Sequence, residues 1–253
     1  MIYDLQKASM TKRLSACLLD FFVLCLIAVG VMALVYDLVG YDAKAAELQT
    51  YYDEYEEKYG ISTDISSEEY NALSEADRAK YDAASEAFGR DERVLNSYSI
   101  LINLTIVITS FSILVSYIVT DIVFPLFFKN GQTLGKKIFN IAVMRTDGVK
   151  ISGFQLFVRA ILGKFTIETM VPVLLIMMTL FGIMGSVAVI VVVLLLILEI
   201  AVMVITKTNS AIHDLFAVTV TVDLESQKIF DSEADLIEYK KMIAEKKAQE
   251  SPY

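Results

Sequence analysis

Four acidic residues lie within segments that are otherwise apolar enough to cross a lipid bilayer: Asp20, Asp121, Glu168 and Glu199. A charged side chain in the hydrocarbon core costs about 3 kcal/mol on insertion scales. Each of these carboxylates is therefore paired with a cation, protonated, or in contact with water. Carboxylates in such a position can bind a cation or carry a proton, so these four are the first candidates for chemistry.

The surrounding apolar residues occur in long blocks rather than at amphipathic spacing. The chain has 253 residues, of which 55% are hydrophobic, and its mean hydropathy is +0.54. A membrane-spanning helix needs roughly 20 apolar residues. Three blocks reach that length and a fourth is close to the lower limit: 14–39, 97–128, 186–206 and 165–181. We therefore predict an all-α polytopic membrane protein with four transmembrane helices.

Basic residues flank these blocks on one side. They precede the first block, lie between the second and third, and follow the fourth, whereas the segment between the third and fourth is uncharged. Lys and Arg favour the cytoplasmic side of a membrane. We therefore expect a multi-pass protein of the cell membrane with both termini and segment 129–164 in the cytoplasm.

The net charge of −9 comes from one insertion, which is expected on the outer side. Between Val39 and Leu95 there are 15 acidic and 6 basic residues, so the rest of the chain is balanced. We expect no nucleic-acid partner. The insertion, 41–96, is predicted to be an extracytoplasmic helical hairpin, with Gly60 ending one helix and Ser66 and Glu69 forming a capping box for the next. Two alternatives stay open: the hairpin packs on itself, or residues 42–95 dock an extracytoplasmic protein partner.

A small cytoplasmic β element is predicted on the other side. Strand composition occurs at 138–145, 149–151 and 216–222. Residues 153–164 have the pattern of a helix at the membrane interface. The tail from Asp231 is predicted to be a charged helix, either a solvated arm or a docking device.

These predictions divide the chain into six parts. They are 1–40 with the N-terminus and first transmembrane helix, 41–96 with the acidic insertion, 97–128 with the second transmembrane helix, 129–164 with the cytoplasmic loop, 165–206 with the third and fourth transmembrane helices, and 207–253 with the cytoplasmic strand and helical tail.

The four carboxylates lie at similar depths. At 1.5 Å per residue, Asp20 is roughly 9 Å inside the first span, and Asp121 and Glu199 are about seven residues from the inner ends of theirs. The candidates for charge partners or a gate are Arg13, Arg159, Lys136 and Asp214. Three interpretations stay open: structural salt bridges, a cation or proton site that opens inward, and contact of the basic residues with lipid headgroups.

No catalytic, cofactor-binding or metal-binding motif is recognisable in the sequence. Cys17 and Cys25 would lie about 12 Å apart on one helix, too far for a disulfide. The single histidine, His213, cannot form a metal site by itself, and no nucleophile is placed near His213-Asp214. We therefore expect no enzyme activity, no cofactor and no metal.

Several pieces of the chain resemble the RDD family of bacterial membrane proteins, named for one arginine and two aspartates. The pieces are 12–20 with Arg13 and Asp20, 131–137 (Gly-Gln-Thr-Leu-Gly-Lys-Lys), 143–148, Arg159 and 212–214. The resemblance implies that Arg13 and Asp20 are the arginine and first aspartate, and that Asp214, or else Asp121, is the second. It covers 8–39 and 97–223 but not the insertion or the tail, and it implies transport, with sodium–proton exchange proposed for some relatives.

Two functions follow as hypotheses. In the first, the protein transports a monovalent cation or proton through its inner carboxylates, and a homo-oligomer would supply further spans. In the second, it is a non-transporting membrane scaffold that recruits partners, and its buried charges are structural.

Overall fold

The computed structural model describes residues 5–250. Within them, four helices are long and apolar enough to cross a membrane: Met10–Leu38, Glu92–Phe128, Gly153–Leu180 and Ser186–Ile205, called the first to fourth spans below. Together with one two-stranded sheet, they confirm the predicted all-α polytopic fold class. The chain separates into two units, one of Met32–Thr109 and the other of the described residues up to Val31 and from Ser110 onward.

The unit Met32–Thr109 contains the acidic insertion, which is helical as predicted. Its helices are Tyr41–Tyr59, Ser67–Ala72 and Glu75–Phe88. Gly60 ends the first of them with a φ of 67°, a left-handed conformation that glycine adopts without a Cβ clash. The second begins with the expected capping box between Ser66 and Glu69. Leu48, Tyr55, Phe88 and Val94 form the core of this unit.

One feature of the insertion differs from the prediction. The sequence predicts a single helix after Ser66, whereas the structure breaks it between Ala72 and Glu75. The reason is local, because the Ser74 side chain accepts a hydrogen bond from the backbone N–H of Asp77 and starts a new helix.

The second and third spans both contain stretches of wide π-helix. The second span is α-helical over Glu92–Ile118, widens at Val119–Val123, and returns to α-helix at Phe124–Phe128. The third span begins as an α-helix at Gly153–Phe157, widens over Val158–Met170, and ends as an α-helix at Val171–Leu180. Segment 153–164, for which the sequence predicts a separate interfacial helix, is therefore continuous with the third span. Wide turns of this kind are frequent at functional sites.

A small antiparallel sheet joins distant parts of the chain. Its strands are β1, Ile141–Arg145, and β2, Thr219–Asp223, with Ile141 opposite Asp223. The strand predicted at 216–222 starts later than expected, because residues Ile212–Ala217 form a short helix that ends at Val218 in a left-handed conformation. The N–H of Ala8 donates to the carbonyl oxygen of Thr221, so the segment just before the first span lies along β2.

The remaining elements are a one-turn helix and the tail helix. Leu134–Ile138 is a one-turn helix before β1, and Glu233–Glu250 is the helical tail. The strand predicted at 149–151 is absent, and this segment forms only isolated bridges, between Met144 and Lys150 and between Val149 and Phe230. Val149, Phe230 and Leu236 pack together, which attaches the start of the tail to the sheet.

Candidate ion-binding site in a charged cavity

A cavity of about 370 Å³ is lined by ionisable side chains from all four spans. We call it the charged cavity. Its ionisable lining residues, cysteine and tyrosine aside, are Arg13, Asp20, Asp121, Lys136, Arg159, Lys164, Glu168, Glu199 and His213. The structure therefore brings all four carboxylates predicted from the sequence to one cavity, and their individual partners differ.

Asp20 is held by the segment that precedes β1. Its carboxylate accepts hydrogen bonds from the hydroxyl of Thr133 and from the N–H of Gly135, the latter at 2.7 Å, and it lies 3.7 Å from the ammonium of Lys136. Asp20 is 9% exposed and Lys136 is 7% exposed, so this contact is buried. Asp20 therefore anchors the one-turn helix Leu134–Ile138 to the first span.

Gly135 makes this contact possible. A Cβ atom built on it would lie 2.3 Å from the carbonyl oxygen of Ala16 and 2.9 Å from a carboxylate oxygen of Asp20. Both distances are shorter than any side chain tolerates, so only glycine lets the two backbones approach this closely.

Asp121 pairs with a different lysine. The ammonium of Lys164 donates to its carboxylate at 2.6 Å, and the hydroxyl of Thr120 donates to the other oxygen at 2.8 Å. Asp121 lies in the wide turn of the second span and Lys164 in the wide part of the third. The two π-helical stretches thus present the two members of a buried ion pair to each other.

Asp214 lies between two arginines. The Nε of Arg159 is 3.0 Å from one of its carboxylate oxygens, and a terminal nitrogen of Arg13 is 3.5 Å from the other. Burial would raise the pKa of Asp214, but Arg159, His213 and Arg13, with a hydrogen bond from Thr219, hold that pKa below its ordinary value. Asp214 is therefore a charged carboxylate that ties the short helix Ile212–Ala217 to the first and third spans.

His213 points the other way, towards Glu168. Both its backbone N–H, at 2.7 Å, and its Nδ1, at 2.8 and 2.9 Å, lie within hydrogen-bond distance of the Glu168 carboxylate. A terminal nitrogen of Arg159 is 2.9 Å from its Nε2. A guanidinium can only donate, so Nε2 accepts and the ring proton is on Nδ1, where it is donated to Glu168.

The environment of His213 agrees with this neutral form. Burial lowers the pKa of His213 below its ordinary value, and Arg159 reinforces the effect, whereas Asp214 and Glu168 oppose it. Gly163 allows the close approach, since a Cβ atom there would lie 2.5 Å from the Cβ of His213.

Glu199 completes this group. One of its carboxylate oxygens is 3.4 Å from the N–H of Ile212, which donates to it. Its Oε2 is buried and has no hydrogen-bond partner among the residues that the structure describes. One ligand atom from each of Glu168, Glu199 and His213 lies within 4.8 Å of the others, in an arrangement that could hold a metal ion.

A comparison with known protein families identifies the family of this chain. The sequence model of the RDD family matches residues 7–218. The chain belongs to the RDD family. No curated protein and no solved structure matches it. Together with its four apolar helices, this membership makes the RDD chain an integral membrane protein.

In this RDD protein, the acidic residues predicted from the sequence differ in the partners that they contact. Asp20 and Asp121 each have their own lysine, and the predicted partner Asp214 has two arginines. Glu168 and Glu199 instead converge on His213. Sequence reasoning overlooked His213 as a member of the site, because it treated the single histidine in isolation. The available signal was its position beside Asp214, since adjacent residues on a helix point in directions about 100° apart and can serve two different partners.

Lys136 is expected to titrate at an unusually low pH. Burial, then repulsion by Lys164 and Arg159, lowers the pKa of Lys136 to about 8, although Asp20 and Asp121 oppose the change. Its folded pKa is below that of an unfolded lysine, about 10.4, so this group makes the fold more stable as the pH rises between the two values. NMR of ¹³C-lysine-labelled protein in detergent should show one signal that titrates near this lower value. The signal should be missing in Lys136→Met and present in Lys137→Met, and a Lys136 signal that stays charged up to about pH 10 would contradict the assignment.

Proposed function

We propose that this RDD protein exchanges a cation for protons across the cell membrane, through the charged cavity, with Glu199 and Glu168 as the carboxylates that bind the exchanged ion. One observation carries the proposal, namely the buried Oε2 of Glu199, which has no partner among the described residues and lies beside Glu168 and His213. A buried acceptor without a partner costs about 1–3 kcal/mol. A proton or a cation at that oxygen removes the cost, so the group favours occupation by one or the other.

The ion pairs around Glu168, Glu199 and His213 support different roles for the aspartates and the glutamates. Asp20, Asp121 and Asp214 are already neutralised by lysines or arginines. Their role in the proposal is to hold the spans, the one-turn helix Leu134–Ile138 and the short helix Ile212–Ala217 around the cavity. Glu168 and Glu199 lack a lysine or arginine within salt-bridge distance among the described residues, so their charge is available to a mobile ion.

The direction of access follows from the distribution of charge. Basic residues favour the cytoplasmic side, and they are concentrated in the segments before the first span and between the second and third. In the proposal, both termini and the sheet are cytoplasmic, and the charged cavity exchanges ions with the cytoplasm.

Flux through reconstituted vesicles tests the proposal. The full chain is reconstituted in proteoliposomes that contain a pH-sensitive dye. When Na⁺, K⁺ or Mn²⁺ is added outside the vesicles, protons should leave their interior. Glu199→Gln keeps the shape of the side chain but removes its charge, and it should lower the rate at least about tenfold. Glu238→Gln, in the exposed face of the tail helix, is the matched control and should behave as the wild type. Unchanged flux in Glu199→Gln, or no flux above protein-free vesicles with any of the cations, would contradict the proposal.

A second candidate is supported by the same ion pairs. Three of the buried aspartates have cationic partners, which is what a non-transporting scaffold with structural charges would need. In that case the helical insertion would recruit a partner outside the membrane. Deletion of residues 42–95 would then remove a protein from a pull-down, while the charged cavity would carry no flux.

A further inference from the structure

We infer that Glu168, Glu199 and His213 form a binding site for a divalent transition-metal ion such as Mn²⁺ or Zn²⁺. The inference rests on the proposed function and specifies its cation as a divalent ion, whereas the sequence led us to expect a monovalent cation or a proton. It is carried by three donor atoms from three parts of the chain, the third span, the fourth span and the short helix Ile212–Ala217, that converge on one point.

The distances suit one ion. Zn²⁺ binds carboxylate oxygen and imidazole nitrogen at about 2.0–2.2 Å in a tetrahedral arrangement, so the ligand atoms of one ion are about 3.4 Å apart. The three ligand atoms lie within 4.8 Å of one another. The side chains would therefore have to move together by up to about 1.4 Å to hold a tetrahedral ion.

The chemistry of the donors favours a divalent transition metal over Na⁺ or K⁺. Imidazole nitrogen is a preferred ligand of transition metals, and carboxylate oxygen accompanies it in many of their sites. Two carboxylates and a neutral imidazole carry a charge of −2, which a divalent ion neutralises. Within the described part of the chain, the Oε2 of Glu199 has no hydrogen bond to lose when it becomes a ligand.

The groups behind His213 can adapt to a bound ion. Nδ1 must give up its proton to become a ligand, and Nε2 must then carry one. The nearest carboxylate oxygen of Asp214 is 3.8 Å from Nε2, so a small shift lets Nε2 donate to it. A ligating histidine that donates to a carboxylate is the usual second layer of a metal site. Arg159, which now donates to Nε2, keeps its contact with Asp214 through its own Nε.

The proton of His213 changes its position when the ion binds. His213 is neutral before and after, since the proton leaves Nδ1 and one is taken up at Nε2. Five other charged residues line or border this space, and each has its own ion-pair partner: Arg13, Asp121, Arg159, Lys164 and Asp214.

Equilibrium binding to the purified full chain in detergent tests the inference without vesicles. The protein should carry no histidine tag, and Cys17→Ser with Cys25→Ser removes competing thiols. Co²⁺, a coloured substitute for Zn²⁺, should give a visible absorption spectrum of nitrogen and oxygen ligation at one ion per chain. His213→Gln and Glu199→Gln should each weaken Co²⁺ and Mn²⁺ binding by at least about tenfold, whereas Glu238→Gln should not.

X-ray absorption of the Zn²⁺-loaded protein keeps the test decisive if a variant fails to fold. It should show one imidazole among the ligands, because the chain has a single histidine. Absence of imidazole, absence of binding, or binding that survives both substitutions would overturn the inference. Proton flux driven by Na⁺ without metal binding would overturn this inference alone, whereas metal binding without flux of any cation would overturn the proposed function and leave the site.

Discussion

Gly135→Ala is expected to destabilise the protein by about 3–5 kcal/mol. The new Cβ would lie 2.3 Å from the carbonyl oxygen of Ala16, which is backbone and cannot rotate away. The one-turn helix Leu134–Ile138 must then move off the first span. That movement also breaks the hydrogen bond from the N–H of Gly135 to the buried carboxylate of Asp20, and hydrogen bonds to charged groups contribute about 1.5–3 kcal/mol.

Thermal unfolding in detergent, followed by circular dichroism, measures this loss. Gly153→Ala is the matched control, since a Cβ atom at Gly153 meets nothing within 4 Å and its φ is not in the left-handed region. The control should melt within a few degrees of the wild type. A Gly135→Ala protein that melts with the wild type would show that the helix does not rest on Ala16 in this way.

Asp214→Asn is expected to have an effect of similar size. Removing one member of a buried ion pair costs about 3–5 kcal/mol, because the remaining charge is left without compensation. The Asp214 side chain is 0% exposed and that of Arg159 is 5% exposed, so water does not replace the lost charge. Arg13 would lose the same partner.

Chemical unfolding of both proteins over a range of pH separates the charge from the shape of the side chain. The pKa of Asp214 is held below its ordinary value, so its contribution is complete above the unfolded value, near 3.9, and is lost as the pH falls through the folded value. The difference between wild type and Asp214→Asn should be constant above about pH 5 and shrink below about pH 4. Asp147→Asn, whose partner Arg145 is partly exposed, should change stability by less than about 1 kcal/mol. A pH-independent difference for Asp214→Asn would exclude the ion pair as its cause.

The spans and the insertion could be predicted from the sequence because their signals are local. Apolar blocks of sufficient length identify the four helices, and Gly60 and Ser66 mark a helix end and a helix start that the structure confirms. The same reasoning placed Asp20, Asp121, Glu168 and Glu199 near one another, since depth along a helix follows from residue number.

The partners of those carboxylates could not be predicted, because depth does not give the direction in which a side chain points. Asp121 and Lys164 are 43 residues apart in sequence, and Asp20 and Gly135 are 115 apart. The third span is also π-helical over the 13 residues Val158–Met170. A wide helix turns by less per residue than the α-helical 100°, so a face drawn with the ordinary period is displaced there. Glu168, which contacts His213, lies within that stretch.

The pairing of the chain's beginning with β2 has a consequence for biosynthesis. Ribosomes make the first span before the residues that complete it, and Ala8 and Arg13 meet Thr221 and Asp214 only when more than two hundred residues have been translated. Until then the guanidinium of Arg13 in the nascent protein lacks its partner, the carboxylate of Asp214. A transcript truncated after the fourth span would therefore yield a protein in which the first span lacks its contacts with Asp214 and Thr221. Cellular quality control would recognise this protein as an incompletely folded membrane protein.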